Sequence, residues 1–309
     1  MLKKLFALLT AILIAACSFN LPIVNAESST AITQNFEGDR AFTKLLNSLP
    51  QKKIYKSKQR PIVIEGAMNC EINEFVHALK NPVVYKILNY TYVAGTYKNY
   101  PVIVARTEQG MENSAAVTAL AIENFKPCAV INQGIAGGHV AEAEVNSIII
   151  GNKYINSSAI ITEKLSKGAG IKITPQKMRG TFAYDKDKKN FQLNKKYLPD
   201  ATLFKIAEEV AGFNKNFKTL TGTISSSDMW LNGVDHIRFI AQEYNSFSED
   251  METCAAAQIC KSQGVPFLGI RAISNNIIIS NDFYEETAAT SQNFVLLVVE
   301  KYISTITRN

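Results

Sequence analysis

The chain has 309 residues and is 47% hydrophobic, enough to bury a sizeable core, which excludes disordered and collagen-like classes. Its 33 Lys and Arg stand against 27 Asp and Glu, and a formal net charge of +6 is too mild to point to nucleic acid. The 5 Cys include no Cys-x-x-Cys pair, which argues against a zinc ribbon and against a small disulfide scaffold.

Met1 to Lys4 is a short basic start, followed from Leu5 to Ala16 by an uncharged apolar run that is short for a permanent membrane helix. The expectation is a secretory signal and an exported protein. Two cleavage readings stand side by side. Val24-Asn25-Ala26 after Pro22 fits a signal-peptidase site and makes residues 1–26 the signal peptide. Ile14-Ala15-Ala16-Cys17 fits a lipoprotein box, in which the signal ends at 16 and Cys17 carries a lipid anchor. Residues 27–60 read as an extracytoplasmic lead or linker, polar at first and then basic at Lys52, Lys53, Lys56, Lys58 and Arg60.

From Pro61 the pattern changes. Ile62-Val63-Ile64 is a short buried-type strand, Gly66-Ala67 a tight turn, and Ile72, Phe75, Val76 and Leu79 recur at helical spacing. Further β-branched runs follow at 102–104, 130–131 and 148–150, with a helix between the first two that stops at Lys126-Pro127. The last third predicts helices near 201–211, 234–243 and 252–262, strands near 219–225 and 267–273, and a terminal helix whose face carries Val295, Val298, Val299, Tyr302, Ile303 and Ile306. The stretch from Gln176 to Lys196 is rich in Lys but contains Asp185 and Asp187 and has no Gly-rich cradle, so it reads as a solvated surface loop. Strands alternating with helices predict a single α/β domain over 61–309, with a mostly parallel twisted central sheet flanked by helices on both faces.

Ligands of open α/β sheets gather beyond the carboxyl ends of strands, and four loops there are unusual. Gly66-Ala67-Met68-Asn69-Cys70-Glu71 places a carboxylate in the first turn of a helix. Asn132-Gln133-Gly134-Ile135-Ala136-Gly137-Gly138 lets a ligand approach the backbone closely. Asp250-Met251-Glu252 opens a helix of small residues, and Arg271-Ala272-Ile273-Ser274-Asn275 closes an apolar strand. Cys70 has no His-plus-carboxylate partner in sequence and reads as a packing thiol.

Together these motifs resemble the purine nucleoside phosphorylase and uridine phosphorylase superfamily, and within it the methylthioadenosine/S-adenosylhomocysteine nucleosidases, over roughly residues 61–305. The resemblance implies the nucleoside phosphorylase-like fold and hydrolysis of an N-glycosidic bond, with Glu71 activating the attacking water. It also implies that Glu252 holds the ribose 2′- and 3′-hydroxyls, that Trp230 lies against the purine, and that the loop from Arg271 to Asn275 faces N7. Met68, Leu231, Met251, Arg271 and Ser274 complete the implied substrate-binding set, with Glu71 and Asn275 at the reacting bond. The implied ligand is a small purine nucleoside, with no cofactor, no metal and a homodimeric assembly. Such chemistry needs a carboxylate near the sugar as it becomes oxocarbenium-like, a positioned nucleophile, and donors at the departing base.

Two departures from the pattern matter. Phosphorylases of the superfamily carry a phosphate-binding Arg and Ser where this chain has Asn132 and Ile135, which favours water as the acceptor. Nucleosidases for 6-aminopurines place an Asp where this chain has Asn275, and an amide cannot deliver a proton. Asn275 then marks a preference for 6-oxopurines, or is compensated by Asp228 or Asp282, or leaves a nucleoside-binding protein of weak activity. A phosphate-dependent phosphorylase is the remaining alternative.

Overall fold

The computed structural model describes residues 36–170 and 176–308. The signal-peptide and lipid-anchor readings fall on residues 1–26 and lie outside the described residues.

Helix α1 (Phe36–Ser48) precedes strand β1 (Ile62–Gly66), which is buried along its whole length, as expected of a strand covered on both faces. Helix α2 (Asn69–Ala78) follows, then a meander of β2 (Lys80–Ile87), β3 (Tyr90–Tyr97) and β4 (Tyr100–Arg106). Lys98 and Asn99, at φ 49° and 63°, form the tight turn between β3 and β4, and such left-handed pairs match the twist of a two-residue hairpin. Helix α3 (Met111–Phe125) leads to β5 (Ala129–Gly138) and β6 (Ile148–Asn156). Short strands β7 (Ile160–Thr162), β8 (Gln176–Met178), β9 (Thr181–Asp185) and β10 (Asn190–Asn194) intervene before α4 (Ala201–Phe213) and β11 (Thr219–Ser226). The chain ends with α5 (Val234–Tyr244), β12 (Ser246–Asp250), α6 (Thr253–Gln263), β13 (Phe267–Asn275) and α7 (Thr287–Ile306).

Nine strands form one sheet in the order β12-β11-β6-β13-β5-β1-β4-β3-β2, and β12 also pairs with β5, which curls the first five strands into a ring. The parallel pairing expected from alternating strands and helices joins β1 to β4 and β5, β5 to β13, and β6 to β11 to β12. Antiparallel pairing enters through the meander, between β6 and β13, and at the short β12–β5 closure. Helices cover both faces. Phe75 of α2, Leu203 of α4 and Val298 of α7 share one core, while Val117 of α3 and Ala256 of α6 share the other. Cys254 and Cys260 are buried in that second core and form no disulfide, as their spacing on a helix suggests.

Two surface expectations change. The lead is more than a linker, because α1 buries Phe42 and Leu46 in the same core as Phe75 and Val298. The stretch from Gln176 to Lys196 is not a plain loop. It carries β8 and the β9–β10 hairpin, with Ala183 and Asp185 buried and Phe182 and Phe191 exposed. Its lysines hide a period-two alternation only five residues long in each strand, too short to read against the charge.

Candidate active site

Four segments converge beside the last turn of β5: the loop after β1, the segment Gly134–Gly138, the end of β12 and the end of β13. Glu71 sits in the first turn of α2 and is 3% exposed. Its Oε2 accepts the backbone N–H groups of Ala67 at 2.6 Å and Met68 at 3.0 Å, and its Oε1 accepts that of Ile135 at 2.8 Å. The carboxylate thus ties the β1 loop to β5. Gly134 makes this possible, because a Cβ there would collide with Glu71 Oε1. Burial pushes the Glu71 carboxyl above the ordinary range, against the pull of Arg271 and of the three donors. A base poised in that direction suits proton abstraction from water near neutrality.

Glu252 is the residue before α6 and is 7% exposed. Its Oε1 accepts from Gly110 N–H at 3.1 Å and its Oε2 from Met251 N–H at 3.3 Å. Burial, with the neighbouring Asp250 charge adding to it, raises its carboxyl to about 8.

Arg271 lies beneath this pair and not against open space. Its Nε donates to Asp250 Oδ2 at 2.6 Å, its Nη2 donates to Asn132 Oδ1 at 2.6 Å, and Nη2 stands 3.6 Å from Glu252 Oε2. At 1% exposure it is a strut under Glu252 rather than a surface for substrate. Asp250 also accepts from the hydroxyls of Ser226 and Thr253, so its remaining valence is filled from β11 and α6.

Glu65 was missed in the sequence, where it reads as one polar residue inside an apolar strand. It is fully buried at the end of β1, accepts from Asn132 Nδ2 at 3.1 Å and meets the Thr118 hydroxyl at 2.9 Å, and burial raises its carboxyl to about 7. Asn132 therefore links Glu65 to Arg271. Its side chain is committed at both ends.

At the far side, Asn275 is half-buried, and the Ser274 hydroxyl donates to its Oδ1 at 2.9 Å. Asn276 instead faces inward, donating to the carbonyls of Val140 and Ala143. Met68 and Met251 are half-buried at the rim, with Gln109 Nε2 3.2 Å from Met68 Sδ. Trp230 is 54% exposed in the loop after β11, and its ring centroid lies 5.7 Å from that of Phe283, which no sequence signal had marked. Leu231 is buried beside Ile155, Ile237 and Ile240 and seats that loop on α5. Asp228 accepts Met111 N–H at 2.8 Å and starts α3, while Asp282 is exposed.

The arrangement gathers the carboxyl groups of Glu65, Glu71, Asp250 and Glu252 around one guanidinium. The fold and this cluster together define a class, the enzymes of the phosphorylase superfamily. The profile of the phosphorylase superfamily matches residues 61–304, and the chain belongs to that family.

A 5′-methylthioadenosine/S-adenosylhomocysteine nucleosidase of Geobacillus sp. (strain WCH70) is 28% identical over 244 residues, covering 77% of this chain and 97% of the relative. The crystal structure of the Neisseria meningitidis nucleosidase of the same name, in complex with methylthio-immucillin-A, aligns with a TM-score of 0.65 at 23% identity, covering 79% of this chain and 100% of that one. The native structure of the Helicobacter pylori futalosine hydrolase aligns with a TM-score of 0.62 at 23% identity, covering 78% and 98%. These two likenesses show the shared fold.

Proposed function

We propose that the protein hydrolyses the N-glycosidic bond of a purine (thio)ribonucleoside such as methylthioadenosine, S-adenosylhomocysteine, adenosine or inosine. The observation that carries the reading is Glu71, a buried carboxylate fixed by three backbone N–H groups beside the buried carboxylate of Glu252. In this reading Glu252 accepts from the ribose hydroxyls and holds C1′ toward a water. Glu71 takes a proton from that water as it adds to C1′. The bond to the base breaks, and the electron pair leaves with the purine, whose developing charge meets the Asn275 amide. Fixing the sugar and the water together removes much of the entropic part of the barrier.

Water is favoured over phosphate as the acceptor by three features. Asn132 is spent on Glu65 and Arg271, and Ile135 offers an anion only its backbone N–H, which Glu71 already takes. Arg106, the nearby cation on β4, is paired with Glu108 and donates to Asn69 Oδ1 at 2.9 Å. The test is release of free base from those four nucleosides in phosphate-free buffer. Turnover that appears only when phosphate is added would replace this reading with phosphorolysis. Export is part of the proposal on the strength of residues 1–26 alone, and cell fractionation checks it.

A further inference from the structure

The β9–β10 hairpin reverses the usual alternation of a surface strand pair. Phe191 stands opposite Tyr184 and Leu193 opposite Phe182, and residues opposite one another in a sheet send their side chains to the same face. All four are exposed, Phe182 at 63% and Phe191 at 71%, and the Tyr184 and Phe191 rings meet edge to face with centroids 5.5 Å apart. The other face carries Thr181, Ala183 and Asp185 with Asn190, Gln192 and Asn194. That face is the one turned to α6: Ala183 and Asp185 are buried, and the Thr181 hydroxyl donates to Gln258 Oε1 at 3.1 Å. A strand pair with one face in water normally turns its apolar residues in and its polar ones out. Here the outer face offers only aromatic rings and a leucine, a patch of the kind that marks a docking surface.

The free charges around this patch are of one sign. Lys188 and Lys189 stand in the turn at one end, and Lys195 and Lys196 follow β10 at the other, all exposed. The two acids of the hairpin are taken by α6. Lys261 Nζ lies 2.6 Å from Asp187 Oδ2 and 3.8 Å from Asp185 Oδ1, which leaves those four lysines with no acidic partner among the described residues.

The charge decides what covers the patch. A second copy laid face to face on it would bring lysine-bearing ends against lysine-bearing ends. A bilayer with anionic headgroups accepts the rings and the leucine at its interface and pairs the lysines with phosphates, as it does for amphipathic elements that lie in the plane of a membrane. Export, proposed above from residues 1–26, brings the chain to such a surface.

We infer that the β9–β10 hairpin is a membrane-contact element, seating Phe182, Tyr184, Phe191 and Leu193 in the interface of an anionic bilayer, with Lys188, Lys189, Lys195 and Lys196 on its phosphates. None of these residues belongs to the active site, so the inference is independent of the nucleosidase reading.

A fluorescent reporter on the hairpin tests it in the full chain. Phe191→Trp is combined with Trp230→Phe, which leaves the reporter as the single indole. A second reporter in the same background, Phe213→Trp, stands at the exposed last residue of α4. Each is titrated with vesicles of phosphatidylcholine alone and of phosphatidylcholine with phosphatidylglycerol, with and without brominated acyl chains. Both replaced phenylalanines are exposed, and a thermal melt matching that of the Trp230→Phe background shows that the fold is kept. With phosphatidylglycerol the hairpin reporter shifts to the blue and is quenched by bromine, and both changes weaken between about 0.1 M and about 1 M salt as the screening length contracts from about 10 Å to about 3 Å. Replacing Lys188 and Lys189 by Gln raises the lipid concentration at half effect by about 10- to 30-fold. The α4 reporter does not respond, and neither reporter responds to phosphatidylcholine alone. Equal quenching of the two reporters, an equal response to phosphatidylcholine alone, or no response from the hairpin overturns the inference. Attachment through residues 1–26 alone gives the last of these results. A blue shift that grows with protein concentration in the absence of vesicles assigns the patch to a second copy and overturns it too.

Discussion

Arg271 Nε lies 2.6 Å from Asp250 Oδ2, and both side chains are 1% exposed. Because the same guanidinium reaches Asn132 and stands next to Glu252, it couples β5, β12 and β13 beneath the sugar end of the site. Removing one partner of a buried pair leaves an uncompensated charge at a cost of about 3–5 kcal/mol. Arg271→Leu should lose that much in urea unfolding. Arg271→Lys keeps the charge but not the fork and should fall between Leu and wild type. A leucine variant as stable as wild type would remove the strut from the account.

Glu71→Gln should bind nucleoside but lose about 10²- to 10⁴-fold in kcat, the usual worth of a general base. Its amide also points N–H at one of three donors and should cost about 1–3 kcal/mol of stability. Single-turnover base release beside a binding isotherm separates the two effects. Retained kcat would mean that another group activates the water.

At Gly134 the added methyl of an alanine meets the Glu71 carboxylate. Gly134→Ala should therefore displace Glu71 and lower kcat at least about 10-fold, since misplacement of a reacting group by an ångström is worth up to ~10²-fold. Steady-state kinetics with a thermal melt checks this, and an unaltered kcat would show that Glu71 tolerates another position.

Much of this was legible in the chain and some was not. Glu71 and Glu252 stand in motifs with a helix start and small neighbours, so type and spacing exposed them. Arg271 was visible as a site residue, but its burial depends on Asp250 and Asn132, which arrive from strands far away in sequence. Glu65 and Glu249 carry no local signal at all. Glu65 is the one acidic residue of β1, Glu249 stands beside Asp250 in β12, and only the pairing of β1 with β5 and of β12 with β5 gives them their neighbours. Of the meander only β4 was read, and β2 was missed because Lys80, Asn81 and Pro82 open it with turn-type residues.

Glu65 sets a pH dependence of stability. Its carboxyl moves from an ordinary 4.5 to about 7 in the folded state, so the folded chain holds an extra proton between those values. Stability then falls as pH rises through that window and levels off above it. The Thr118 hydroxyl, which also faces the Ser114 carbonyl at 2.8 Å, can donate there while accepting from a protonated Glu65. Glu65→Gln should gain on wild type by on the order of 3 kcal/mol between pH 4.5 and 7.5. Urea titrations at the two pH values measure the difference, and a constant offset would assign the burial cost elsewhere.

The central claim is that Glu71 delivers water to C1′. Turnover in ¹⁸O-labelled water with excess phosphate present tests it most directly, by mass spectrometry of the pentose product. The account predicts a free pentose with one labelled oxygen at C1′ and an unlabelled, intact base. An unlabelled pentose 1-phosphate would contradict it.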